Sequence, residues 1–398
     1  MSTFRDEPPS AAPAESPAAV DARRPSRATP DGERAVDEGV AGRKTAHAAV
    51  GGRPAADRPT VDWAEDGDGP AVVLIDQTAL PQAERLLAVR SVAELIDAIH
   101  RLAVRGAPAL GVAGALGVAL AVRTSDDLDA DIALLRAARP TAVNLARGVD
   151  RVAAGIPEGA DAVLAEAMAI RDAEVASSES MAAYGADVVR SLCGDAARLL
   201  THCNTGALAT VTGGTALAVV LALHADGHLG GVIASETRPL LQGARLTAWE
   251  LTRAGVPFRL AVDGAGPFLA ARGEVDGVIL GADRICANGD VVNKVGSYAH
   301  ALGAARVGIP FIVVAPESTV DMGTASGDEV TIEDRGPDEV RGFGDAMVSL
   351  PSAPVANPAF DVTPSDLVTA VVTDRRTVWL SRGETLAGVP LGPLRVRP

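Results

Sequence analysis

Two short runs carry the residues best suited to chemistry. The first is Leu199-Leu200-Thr201-His202-Cys203-Asn204-Thr205-Gly206, an apolar stretch that stops in a polar turn. We expect Cys203 just after a strand and at the start of a helix. The unpaired N–H groups there would lower its thiol pKa and make it a base or nucleophile. An inert buried cysteine is the competing reading, and the polar neighbours weigh against it. His202 faces the other side of the strand and reads as structural or supporting. The second run is Val278-Ile279-Leu280-Gly281-Ala282-Asp283, followed by Val291-Val292-Asn293-Lys294. Asp283 follows a strand end closely, and partial burial would raise its pKa and suit it to general acid work. A turn-capping aspartate competes. Asn293 and Lys294 are expected to begin a helix at the same rim. Lys294 stands out because the chain has 36 basic residues and only one other lysine, Lys44. Cys286 reads as packing.

An anion would need positive groups near these two runs. Arg105-Gly106-Ala107-Pro108-Ala109 joins two helical patterns. Pro108 suits a first helical turn, so the nearby N–H groups are free for a phosphate, and Arg105 can add a bidentate contact. Arg139, before Pro140-Thr141-Ala142-Val143-Asn144, is a second phosphate-side candidate. Gln242 lies near a strand-to-helix junction and can exchange hydrogen bonds with a sugar hydroxyl. Arg238, close by, could as easily pair with Glu236.

Other chemistries fit poorly. No Gly-x-Gly-x-x-Gly opens an early βαβ unit, no phosphate-binding Gly-Lys-Ser/Thr loop occurs, and the six histidines show no metal spacing. We therefore expect neither cofactor nor metal. The formal charge of -15 argues against nucleic-acid or acidic-membrane partners. Three cysteines without regular spacing suit a reducing compartment. The N-terminus lacks the apolar core of a secretory signal, and the apolar stretch Ala109–Val122 is too short and glycine-rich for a bilayer span. The cytoplasm is the expected location.

These residues need elements to hold them. Residues 1–67, rich in Pro, Ala, Gly and charge, read as a disordered tail. Residues 68–192 read as a mainly helical domain. Val92, Leu95, Ile96, Ile99 and Leu102 share one face, and Ser91 with Glu94 forms a capping box. Residues 193–398 alternate short β-branched runs with helical segments. That pattern implies an α/β domain with an open, mostly parallel sheet. Ligands in such sheets lie beyond the carboxyl ends of the strands, so Cys203, Asp283 and the Glu236-Thr237-Arg238 cluster should be neighbours.

Taken together, the motifs resemble those of the methylthioribose-1-phosphate isomerases, relatives of the regulatory subunits of eukaryotic translation initiation factor 2B. The resemblance rests on Arg105–Ala109, Arg139–Asn144, His202–Gly206, Glu236–Leu251, Gly281–Asp290 with Val291–Gly296, and Val314–Asp321. It runs from about Leu74 to beyond Pro364, which leaves out the N-terminal tail. It implies a Rossmann-like α/β domain behind a helical one, with Cys203 and Asp283 as a catalytic pair. Arg105, Gly106, Ala107, Arg139, Gln242, Asn293 and Lys294 fall on substrate-contact positions. The resemblance also implies a homodimer acting on a small phosphorylated sugar in methionine salvage. A different 5-substituted or 5-deoxyribose 1-phosphate, or a non-catalytic regulatory protein of the translation-factor type, are the alternatives it leaves.

Overall fold

The computed structural model describes residues 58–139, 143–344 and 346–396, all within one compact unit, Ala48–Pro398. Most of the expected tail, and Pro140-Thr141-Ala142 of the Arg139 motif, lie outside the described residues. Residues 61–66, inside the expected tail, form a strand. Strands β1 (Val61–Asp66), β2 (Gly69–Ile75) and β3 (Leu86–Val89) form an antiparallel sheet. Val61 has no exposed surface, which gives that strand a reason to be held.

Five helices follow: α1 (Val92–His100), α2 (Ala107–Thr124), α3 (Leu128–Ala137), α4 (Val143–Ala153) and α5 (Ala160–Cys193). Ser91 caps α1 by accepting from the Glu94 N–H, and Glu94 reaches back to the Arg90 N–H rather than to Ser91. Among the described residues α2 is the one helix long and apolar enough to cross a membrane, and it is mostly buried as the core of the helical layer. Its glycines explain how it packs. A Cβ on Gly148 of α4 would lie 2.2 Å from the Gly111 carbonyl of α2, so only glycine allows this contact.

From Ala197 strands and helices alternate: β4 (Ala197–Thr201), α6 (Ala216–Ala225), β5 (Leu229–Ser235), α7 (Ala248–Arg253), β6 (Phe258–Ala261), α8 (Ala265–Ala271) and β7 (Gly277–Leu280). Next come β8 (Arg284–Cys286), β9 (Val291–Lys294), α9 (Ser297–Val307), β10 (Phe311–Val314) and β11 (Val320–Asp321). The chain ends with α10 (Asp338–Arg341), β12 (Gly342–Phe343), β13 (Ala346–Met347), β14 (Phe360–Thr363), β15 (Ala370–Val372) and β16 (Thr377–Val378).

The large sheet has the order β16-β15-β10-β7-β4-β5-β6. Its pairings are parallel except at the β15–β16 edge, where Val371 faces Val378 in an antiparallel pair. A second sheet, β11-β8-β9-β14, mixes both directions and stands outside the expected open parallel arrangement. The fold is therefore α/β, with helical and mixed-sheet regions. Strands of the large sheet such as β7 and β10 are buried along their whole length, as helices covering both faces require.

Candidate functional site

Of the polar clusters at the strand ends, those of Cys203 and Asp283 meet in one cleft, while Glu236, Thr237 and Arg238 line neither of its recesses: Thr237 Oγ1 accepts from the Cys203 N–H at 2.9 Å, and Arg238 donates to the Glu339 and Val340 carbonyls. Arg105, Gly106, Arg139, Cys203, Gln242, Asp283 and Lys294 all line a recess of about 490 Å³. Ala107 lines the adjoining recess of about 840 Å³, which Gly106, Arg139 and Asp283 also border. Asn293 lines neither. Its side chain is buried and donates to Ser297 Oγ at 2.8 Å, so it braces the turn after β9.

Two local expectations are corrected. Cys203 does not open a helix: it follows β4 with φ 64°, and the next regular α-helix is α6. Without a helix N-terminus, burial dominates and pushes its thiol pKa above the ordinary value, while Arg105 and Lys294 act in the opposite direction. Asn293 and Lys294 end strand β9 rather than begin a helix, because β9 pairs with β8 and β14 and α9 starts only at Ser297.

The left-handed backbone at Cys203 is held by two threonines. Its N–H donates to Thr237 Oγ1 at 2.9 Å, and its carbonyl accepts from Thr247 Oγ1 at 2.6 Å. Thr237 and Leu241 nearby are also at positive φ, and so is the cleft residue Leu102. Such clustering of strain marks a region held by its surroundings rather than by local preference.

His202 is fully buried, in keeping with a supporting role. Its Nε2 meets the Val295 carbonyl at 2.8 Å and its Nδ1 meets Ser235 Oγ at 2.5 Å. Burial lowers its pKa to about 4, so the ring is neutral at pH 7 and ties β4 to the Lys294 turn without adding charge. Cys286 is buried packing, as expected.

Positive charge converges on the cleft. Lys294 Nζ donates to the Ala359 carbonyl at 2.6 Å and sits 4.6 Å from the centre of the Phe360 ring. Burial lowers the Lys294 pKa, with Cys203 and Asp283 pulling it back up. Arg105 donates to Asn204 Oδ1. Burial lowers the Arg139 pKa while Asp283 raises it. The α2 N-terminus at Gly106 has no side-chain cap, which leaves its N–H groups open to an anion. Asp283 is reached by solvent through the cleft, yet dense protein around it raises its pKa against the pull of Lys294, Arg139 and Arg105.

Two buried polar atoms here have no hydrogen-bond partner: Arg105 Nε and Gln242 Oε1. Orphaned polar atoms are uncommon in a fold and are at home where a polar ligand completes them. The geometry thus suits an anionic ligand rich in hydroxyls beside a thiol and a carboxyl group whose pKa values burial raises. Among the described residues no cluster of His, Cys, Asp or Glu suits a metal ion.

Four contributors escaped sequence reasoning. Glu250 accepts from Asn204 Nδ2 and from the Ala207 N–H, each at 2.7 Å, and so fixes the partner of Arg105. Glu333, Arg335 and Phe360 complete the walls. Glu250 lies within the Glu236–Leu251 motif and was open to notice; Glu333 and Arg335 sit in a run without periodicity that carries no signal.

A cleft with this charge and with a thiol and a carboxyl group side by side, beyond the strand ends of an α/β sheet, defines a small-anion site of the kind found in sugar-phosphate enzymes. Residues 103–376 match the model of the initiation factor 2 subunit family. A methylthioribose-1-phosphate isomerase of Anaeromyxobacter sp. is 51% identical over 310 residues, 77% of this chain and 90% of that one. A 5-deoxyribose 1-phosphate isomerase of Moorella thermoacetica is 45% identical over 84% of this chain and 98% of its own. A probable bifunctional methylthioribose-1-phosphate isomerase/methylthioribulose-1-phosphate dehydratase of Nocardia farcinica is 50% identical over 81% of this chain, which spans 60% of that longer protein. Among solved structures, the 5-methylthioribose 1-phosphate isomerase of Pyrococcus horikoshii matches with TM-score 0.75 and 40% identity, over 81% of this chain and 92% of that one. A translation initiation factor eIF-2B delta subunit of A. fulgidus matches with TM-score 0.70 and 39% identity, over 81% and 96%. The chain belongs to the initiation factor 2 subunit family, in its methylthioribose-1-phosphate isomerase branch.

Proposed function

We propose that this protein isomerises 5-methylthioribose 1-phosphate to 5-methylthioribulose 1-phosphate in methionine salvage. The observation that carries the reading is the single cleft shared by Cys203, Asp283, Arg105, Arg139, Gln242 and Lys294. Arg105, Arg139, Lys294 and the Gly106–Ala107 N–H groups hold the phosphate, Gln242 takes a sugar hydroxyl, and Asn293 supports Lys294 from behind. Asp283, whose burial among protein atoms raises its pKa, gives a proton to the ring oxygen as the bond from that oxygen to C1 breaks. Cys203 as thiolate then takes the C2 proton, and the electron pair forms a C1–C2 double bond. The thiol returns that proton to C1 while the 2-hydroxyl proton passes to the Asp283 carboxylate, which leaves the ketose and both groups as they began. The fixed cations stabilise the charge that develops on the way.

The raised thiol pKa supports a competing transfer. The C2 hydride moves directly to the electron-poor C1, and the Asp283 carboxylate takes the 2-hydroxyl proton. Solvent deuterium appearing at C1 of the product selects the first route. The 45% identity to a 5-deoxyribose 1-phosphate isomerase supports a second substrate reading, with the same machinery and another group at C5.

The site assignment is tested with Cys203→Ala and Asp283→Asn, each expected to cut turnover by at least about 100-fold with melting unchanged within a few degrees. Normal turnover in either folded variant removes that residue from the mechanism.

We also infer that residues 68–192 and 193–398 are separate domains, the second Rossmann-like. Distinct buried cores support this, one centred on α2 and others on the large sheet. Homodimerisation is supported by exposed apolar residues on β6, α8 and α9, including Leu260, Phe268 and Leu302. Three free cysteines support a cytoplasmic location.

A further inference from the structure

Lys294 closes β9, and α9 starts at Ser297. Between them lies the peptide that joins Val295 to Gly296, and side chains hold both of its polar groups. Its carbonyl accepts from His202 Nε2 at 2.8 Å. Its N–H donates to Asp361 Oδ2 at 2.7 Å, and the same oxygen accepts from the Tyr298 N–H at 3.1 Å. We propose that Asp361 and His202 are positioning residues that lock this peptide and so aim the Lys294 ammonium group into the cleft beside Cys203 and Asp283. This deepens the isomerase reading and rests on it.

Both ends of the clamp belong to segments that also build the cleft. His202 precedes Cys203. A carbonyl can only accept, so His202 Nε2 carries the proton and Nδ1 is left to accept, with Ser235 Oγ at 2.5 Å and His300 Nε2 at 3.3 Å beside it. The neutral ring is a strut from the end of β4 to the turn after Lys294. Asp361 lies on β14 opposite Asn293, and Phe360 lies opposite Lys294. The Ala359 carbonyl accepts from Lys294 Nζ, and the Phe360 ring faces the ammonium group. The segment Ala359–Asp361 thus holds both the head and the root of the lysine. Neither His202 nor Asp361 lines a recess of the cleft, so their effect on a ligand passes through their neighbours.

The turn has no slack. Gly296 is at φ 109°, and a Cβ there would lie 2.8 Å from His202 Cε1. Gly296 cannot cap α9 with a side chain, and Asp361 supplies that cap from β14. Asp361 Oδ1 is buried without a partner, a cost that the two N–H groups on Oδ2 and the pull of Lys294 offset. The lysine head hangs on a flexible four-carbon stem, so fixing the root of that stem decides where its charge falls.

The test uses the full chain. It reads KM for 5-methylthioribose 1-phosphate and, by calorimetry, the Kd of inorganic phosphate. Asp361→Asn keeps an oxygen for the Gly296 N–H and should stay within about 3-fold of the wild type in both. Asp361→Ala removes that oxygen and should raise both by about 10-fold or more, the loss of a charge-assisted contact to phosphate. In a Lys294→Met background, adding Asp361→Ala should change them by less than about 2-fold, because the lysine it aims is gone. An Asp361→Ala protein with wild-type values overturns the proposal. So does a loss that is undiminished in the Lys294→Met background, which is what a merely structural role would give. A wild type that binds phosphate but turns over no sugar removes the isomerase reading, and phosphate binding alone then decides the positioning; a wild type that does neither overturns both. Should Asp361→Ala not fold, Asp361→Ser, too short to reach Gly296, takes its place in the same comparison.

Discussion

Glu250→Gln tests whether the cleft is built from behind. Glu250 is buried and does not line the cleft, yet both its oxygens are committed: Oε1 to Asn204 Nδ2 and Oε2 to the Ala207 N–H, each at 2.7 Å. Asn204 in turn accepts from Arg105. The amide of glutamine has the same shape, but its NH2 must face one of those two donors. That loses a charge-assisted bond, worth about 1.5–3 kcal/mol, and strands a buried N–H at about 1–3 kcal/mol. Removing the charge relieves the burial that raises the Glu250 pKa, which offsets part of the loss. A net destabilisation of about 2–3 kcal/mol corresponds to a drop in Tm of roughly 3–4 °C for a folded unit of this size. Arg105 loses its fixed partner, and a displacement on the order of 1 Å costs up to about 100-fold in kcat/KM. The assay is a thermal melt paired with turnover of 5-methylthioribose 1-phosphate. Glu166→Gln, which removes an exposed ion pair with Arg151, is the control and should shift Tm by no more than about 1 °C. A Glu250→Gln protein with the Tm and kcat/KM of the wild type would refute the view that this carboxylate positions Arg105.

Two further outcomes concern stability. Gly148→Ala puts a Cβ 2.2 Å from the Gly111 carbonyl and must push α4 off α2. A loss of about 1–3 kcal/mol in chemical denaturation is expected, and an unchanged midpoint would contradict that contact. Burial, with Asp374 adding to it, raises the Glu174 pKa from 4.5 to about 7. The native state then keeps a proton that the unfolded chain releases, so this group makes stability fall as pH rises from about 4.5 to about 7. Glu174→Gln should remove that slope and gain most over the wild type at pH 8; parallel pH–stability curves would rule the effect out.

The helical region was largely legible because its cues are local. Ser91 and Glu94 announced the start of α1, and the glycines of α2 announced a close helix contact that Gly111 and Gly148 make. Strand β1 at Val61–Asp66, inside the stretch read as tail, was missed: it is secured by pairing with β2, a contact invisible in a stretch of Pro, Gly and charge. Lys294 was read as the start of a helix for a similar reason. Val291–Lys294 is a strand because Phe360–Thr363, far along the chain, pairs with it.

The chemistry of the site was legible as residue types and spacing. Cys203, Asp283, Arg105, Arg139, Gln242 and Lys294 stand out as reactive or polar groups, and the parallel-strand pattern was enough to predict that Cys203 and Asp283 meet; Arg105 and Arg139, in the helical region, were placed beside them only by the family resemblance. Their protonation was not legible. The sequence placed Cys203 at a helix N-terminus with a lowered pKa; the tertiary structure puts it in a left-handed turn where burial outweighs Arg105 and Lys294. Local sequence determines which groups are present and which short elements present them. Desolvation and charge–charge distance depend on every chain segment that packs around a group, so only the folded molecule decided that the Asp283 pKa is raised, that Asn293 braces the turn after β9, that Glu250 supports the cleft from behind, and that the Val330–Glu333 segment lines it.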